Sequence, residues 1–139
     1  MKPFATIFAA ATIALMASLS SAAADDKAPI FVNLTTEDPH RLSMALTFTA
    51  NQQERNHPVT VFLNDRGVFI GAKSQAGRFP GQQKKLQDMM ANGAQVYICA
   101  MCMKHYGVAE ADRLEGIKVG DPDSVGAALF RDNGKTLTW

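Results

Sequence analysis

Short apolar runs alternate along this chain with longer stretches in which apolar residues recur every three or four positions, the spacings of buried strands and amphipathic helices. Ile30–Leu34 is the first such run and predicts a strand. Residues 35–38 turn the chain, after which Asp38 suits an N-cap and Pro39 the first helical position. Leu42, Ala45, Leu46 and Thr49 follow at helical spacing, Phe48 is assigned to the same stripe, and polar residues 51–56 end the helix. Val59–Leu63, apolar apart from Thr60, predicts the second strand. Residues 68–72 fit one helical turn or a buried loop equally well. Residues 77–81, with Pro80, predict a loop. Helical spacing resumes at Gln82, with Leu86, Met89 and Met90 inward and Gly93 as the stop. Gln95–Cys99 predicts the third strand and residues 117–119 the fourth. Asp121 and Pro122 repeat the N-cap signature, and Val125, Ala128 and Leu129 form the apolar face of a last helix. Residues 135–139, with Leu137 and Trp139 inward, predict a closing strand.

Strands separated by helices need crossover connections, which imply a mainly parallel sheet covered on both faces. The expected fold class is therefore α/β, three layers around about five strands, with right-handed crossovers. The pattern shows no internal repeat and no second domain. Gly116 and Gly120 flank a strand without the spacing of a dinucleotide site, so no nucleotide cofactor is expected.

The first residues change the picture of where this domain works. Lys2 precedes an uncharged apolar and small-residue stretch at about 4–19, and Ser20, Ser21, Ala22, Ala23 and Ala24 offer a cleavage site before Asp25 and Asp26. Residues 1–24 are expected to be a signal peptide and residues 25–139 the mature domain, in a periplasmic or otherwise exported location. A retained membrane anchor is the competing reading, and the stretch is short and Ala/Ser-rich for a span of about 20 residues. Lys2 leaves with the leader, so 14 basic residues fall to 13, equal to the 13 acidic ones. A near-zero net charge without a basic patch gives no field for nucleic acid or anionic membranes, and neither is expected as a partner.

Chemistry concentrates in one segment, Tyr97-Ile98-Cys99-Ala100-Met101-Cys102-Met103-Lys104-His105-Tyr106-Gly107. Cys99 falls where the third strand should end, and the carboxyl ends of parallel strands are where ligands bind. If a helix starts there, its free N–H groups favour a thiolate, and Lys104 or a protonated His105 would act in the same direction. Two intervening residues also leave both sulfurs within reach of a disulfide. Local bracing is the plainest role for such a bond, although a short loop gains little chain-entropy stabilisation.

That Cys-x-x-Cys after a strand, followed by Gly107, a Leu114-Glu115-Gly116 turn and a closing helix and strand, resembles the DsrE/DsrF-like proteins over essentially the whole mature chain. The resemblance implies a small DsrEFH-like α/β subunit that assembles into oligomers, here a homo-trimer or homo-hexamer. It also implies sulfur carried as a persulfide on a cysteine of this segment. By position, Cys99 matches the sulfur-bearing residue and Cys102 its resolving or second thiol. This chain departs from many relatives in having Tyr106 where they have arginine before the glycine. It also reads as exported, whereas the best-characterised carriers are cytoplasmic.

The leading expectation is therefore an exported sulfur carrier or thiol redox protein. Its catalytic residues are Cys99 and Cys102, its partners the thiols of a sulfur donor or acceptor protein, and it uses no cofactor. The alternative is soft-metal binding. Cys99, Met101, Cys102, Met103 and His105 place five soft or borderline donors close together, a set suited to Cu(I). A general thiol oxidoreductase ranks lower, because the Trp and Pro context of the thioredoxin group is missing. His40 and His57 read as an exposed helix residue and a loop residue. Asp65-Arg66-Gly67 reads as a turn, with Asn64 or Asp65 placed to border the same cleft.

Overall fold

The computed structural model describes residues 27–139, so the expected leader at 1–24 lies outside the described residues. Parallel strands covered on both faces read as continuous apolar runs. β1 (Ile30–Leu34) and β2 (Val59–Leu63) follow this rule, each buried except for one half-buried position, Asn33 and Phe62. β3 (Gln95–Cys99) is buried from Val96 onward. β4 (Lys118–Gly120) and β5 (Lys135–Thr138) are more exposed, because they form the two edges. The sheet order is β4-β3-β2-β1-β5 and every pairing is parallel. The expected five-stranded parallel α/β architecture is thus the observed one. Its register sets Leu34 beside Leu63, Leu63 beside Ile98, and Cys99 beside Gly120.

α1 (Pro39–Glu54) begins as its sequence predicts, with Asp38 accepting from Arg41 N–H at 2.7 Å and Pro39 in the first turn. Leu42, Ala45, Leu46 and Thr49 are buried against the sheet. Phe48 is not part of that stripe: it is 42% exposed. At 3.6 residues per turn it lies about 110° around the helix from the centre of the buried face. α2 (Pro80–Ala91) starts two residues earlier than the spacing predicts. The expected loop at 77–81 is a helix start at Pro80, whose fixed φ and missing N–H suit that position. Just before it, Phe79 is fully buried, and its carbonyl accepts from Gln83 N–H at 2.9 Å.

Of the two alternatives for residues 68–72 the helical one holds: residues 68–71 belong to a 3-10 helix, Asp65–Gly71, that sinks Val68 and Ile70 completely into the core. β4 is displaced by one residue from the expected 117–119, because Ile117 is taken up as a buried core residue before the strand begins. α4 (Pro122–Leu129) carries the Asp121–Ser124 capping box, and it keeps Val125, Ala128 and Leu129 half-buried. Leu137 and Trp139 pack against the core from the β5 edge. No helix among the described residues is long and apolar enough to cross a membrane.

Candidate functional site

Cys99 is the last residue of β3 and caps the short helix α3 (Ala100–Tyr106) that follows without a loop. The helix closes on Gly107, whose φ of 70° is left-handed and therefore suits glycine. One turn of α3 places Cys102 next to Cys99, with Cα atoms 5.2 Å apart and the sulfurs joined as a disulfide. The Cys102 N–H points at Cys99 Sγ, 3.2 Å away. The two sulfurs differ in access. Cys99 is 9% exposed and belongs to the core, whereas Cys102 is half-buried and lines a pocket of ≈ 280 Å³.

The neighbouring strand supplies the other wall. β2 ends at Leu63, and Asn64 then caps the 3-10 helix by accepting from Asp65 N–H at 2.8 Å. That bond fixes the amide so that Asn64 Oδ1 also faces Cys102 Sγ, 3.1 Å away. Asp65, held at a φ of 46°, directs its own N–H toward the same sulfur at 3.3 Å. Its carboxylate accepts from the Tyr106 hydroxyl. This hydrogen bond, then burial and the Asp65 charge, push the Tyr106 hydroxyl above the ordinary phenol range. Tyr106 therefore remains a protonated donor across the rim of the pocket. Its ring meets Phe69 at 5.3 Å and the edge of His105 at 4.7 Å, and the Arg66 guanidinium lies over it at 5.5 Å.

Behind this rim, Glu37 ties the segments after β1 and β2 together. It pairs with Arg66 and, at 2.6 Å, with Arg78. Burial pushes the Glu37 carboxyl up, but hydrogen bonds from Arg78 and Arg66 and the charges of both outweigh it and hold the group below the usual carboxylate range. A depressed carboxylate stabilises the fold above its unfolded pKa, and that contribution is lost as pH falls through its folded value. Glu37→Gln is therefore expected to cost about 0.5–1 kcal/mol at neutral pH. The difference from the parent should narrow as the pH falls below the usual carboxylate range and through the lowered folded value. Urea unfolding at neutral pH and in acid measures this, and a gap that stays constant however far the pH is lowered would contradict it.

The structure separates the five soft donors. Met101, 80% exposed, and His105 share one face of α3 as an i,i+4 pair, and they line the Cys102 pocket with Asp65 and Tyr106. Met103 lies on another face and is buried in the core, and Cys99 sits beneath the pocket. No group of three or more His, Cys, Asp or Glu among the described residues is arranged to hold a metal. His40 is exposed, and His57 Nδ1 bonds the Ala28 carbonyl at 2.8 Å, away from the cysteines. Asn64 and Asp65 do border the site. Sequence reasoning noticed Tyr106 only as a missing arginine and did not find the Glu37–Arg66–Arg78 group. The one local signal for the second wall is the polar Asn-Asp step directly after an apolar strand.

Comparison with known proteins agrees with this architecture. MJ0989 of Methanocaldococcus jannaschii, an uncharacterized protein, is 31% identical over 113 residues, covering 78% of this chain and 98% of that protein. The uncharacterized protein MK0008 of Methanopyrus kandleri is 32% identical over 80 residues, 57% of this chain and 66% of that protein. Two solved structures share the fold at a TM-score of 0.65, each over 81% of this chain and 99% of the other. They are MTH1491 of Methanobacterium thermoautotrophicum, a protein of unknown function, at 13% identity, and the ychN protein of E. coli at 20%. Residues 8–131 match the DsrE/DsrF-like family; the chain belongs to it, and that membership suggests a sulfur-relay-type role.

Proposed function

We propose that this protein is an exported, self-associating sulfur carrier whose Cys99–Cys102 pair passes between disulfide, dithiol and persulfide. The observation that carries the reading is the placement of two bonded sulfurs at the carboxyl end of β3, beside the end of β2, with one of them facing an open pocket. Structural bracing alone is a poor account of this geometry. A three-residue separation closes too short a loop to gain much from chain entropy. Thiol–disulfide exchange needs an accessible sulfur and surroundings that tell the two sulfurs apart; the half-buried Cys102 and the different polar contacts of the two sulfurs support the reading. Partner thiols of a donor or acceptor protein complete the reaction, and a periplasmic location and a homo-trimer or homo-hexamer belong to the same reading.

Intact mass of the reduced protein after exposure to a polysulfide donor tests it. The expected result is a gain of one or more sulfur atoms, reversed by a thiol reductant and absent from the Cys99→Ser, Cys102→Ser double variant. No gain would overturn the reading. A second reading, Cu(I) binding, is favoured by Met101, Cys102 and His105 lining one pocket, and it needs the reduced pair. In a parallel arm Cu(I) replaces the polysulfide. Cu(I) retained against a chelator, with no sulfur gained in the first arm, would move the site to that reading.

A further inference from the structure

The placement of the two sulfurs carries the sulfur-carrier reading one step further. We propose that Cys102, not Cys99, is the sulfur that meets the incoming sulfur species, and that hydrosulfide loads the protein by attacking the disulfide at Cys102 Sγ. This rests on the carrier reading above and reverses the roles that position alone assigns to the two cysteines.

Three observations point the same way. The first is access: Cys102 lines the pocket with Asp65, Met101, His105 and Tyr106, and Cys99 is a core residue outside that lining. The second is the leaving group. When a nucleophile takes Cys102, the departing electron pair goes to Cys99 Sγ, and the Cys102 N–H already points at that atom from 3.2 Å. A hydrogen bond to the charged form stabilises a thiolate, and the better leaving thiolate directs which sulfur is attacked. The third is the environment of Cys102. Asn64 Oδ1, 3.1 Å from its sulfur, is an acceptor and opposes negative charge there. The Asp65 N–H offsets this only in part, being shared with Asn64 Oδ1 at the shorter distance of 2.8 Å. The Asp65 carboxylate borders the same pocket, while the nearby Arg66 guanidinium is engaged by Glu37. Attack at Cys99 would instead leave the charge on Cys102, facing that oxygen.

The step balances without another reagent. A hydrosulfide lone pair forms a new S–S bond to Cys102 Sγ as the Cys99–Cys102 bond breaks, giving Cys102–S–SH and a Cys99 thiolate. The incoming sulfur is oxidised to the sulfane level, and the disulfide supplies the oxidising equivalent. In the reverse step the Cys99 thiolate returns to Cys102 Sγ and expels hydrosulfide.

The test uses the oxidised wild-type protein, which avoids variants that fold poorly. Sodium hydrosulfide is added, the reaction is quenched within seconds by an alkylating agent, and the peptide containing both cysteines is fragmented in a mass spectrometer. The extra sulfur is expected on Cys102 by about tenfold or more, with Cys99 alkylated directly. Extra sulfur mainly on Cys99 would overturn the role assignment and leave the carrier reading standing. So would an adduct obtained only from reduced protein with polysulfide. No adduct by either route would defeat the carrier reading itself.

Discussion

Gly67→Ala is expected to destabilise the domain by about 3 kcal/mol, at the upper end of overpacking costs. For a domain of this size the melting temperature should drop by on the order of 10 °C. A Cβ on Gly67 would stand 2.1 Å from the Leu34 carbonyl oxygen and 2.8 Å from its carbon. These are backbone atoms at the end of β1, an interior strand of the sheet, and cannot swing aside as a side-chain tip can. The same carbonyl also accepts from Asn64 N–H at 2.9 Å, so any retreat breaks the link that holds the loop after β2. The damage should reach the site, because Asn64 and Asp65 lie just upstream and touch Cys102. Thermal unfolding and the alkylation rate of reduced Cys102 are the two readouts. A variant that melts within two or three degrees of the parent, with an unchanged alkylation rate, would show that the close approach is unimportant.

Phe79→Ala should be costlier still, about 3–5 kcal/mol, the range for deleting a buried aromatic ring. Phe79 is fully buried and is the largest side chain with no exposure among the described residues. The site cannot collapse easily to fill the cavity. The Phe79 N–H donates to Gln75 at 3.0 Å, its carbonyl receives Gln83 N–H at 2.9 Å, and Pro80 holds the helix start immediately after. Arg78 covers the ring with its guanidinium 4.8 Å from the centroid, so it loses a partner as well. Small domains are stable by about 5–15 kcal/mol in total, which makes this loss about a fifth or more of the whole. Urea unfolding measures it directly, and a loss under about 1 kcal/mol would mean that the cavity closes after all.

The elements legible from sequence were those whose signals are local. β1, β2 and β3 matched because a strand covered on both faces is a continuous apolar run, with polar or turn residues on both sides of β1 and β2 and before β3. The Asp38–Pro39 and Asp121–Pro122 starts matched because a cap is made by neighbours in the chain. Where a residue's role depended on distant partners, the reading slipped. Pro80 has the same chemistry as Pro39, yet no capping side chain precedes it, so it read as a loop; the burial of Phe79 beside it is set by tertiary packing. The 3-10 helix at Asp65–Gly71 has too short a period to stand out from a buried loop.

The site divides along the same line. The sequence by itself determined that two cysteines would meet at the end of a strand, since two intervening residues and a helix turn bring their Cα atoms to 5.2 Å wherever such a turn occurs. It also indicated that Asn64 and Asp65 follow a strand end. Only the tertiary structure decided what those facts amount to. β2 and β3 pair with Leu63 beside Ile98, and that register brings the Asn64 oxygen and the Asp65 N–H to Cys102, residues 38 and 37 positions away in the chain. Glu37 reaches Arg66 and Arg78 across 29 and 41 positions. Local spacing encodes local geometry, because a few residues have few conformations to choose from. Which sulfur is buried and which faces the pocket depends on strands meeting across long stretches of chain, and the burial of the whole core selects that pairing.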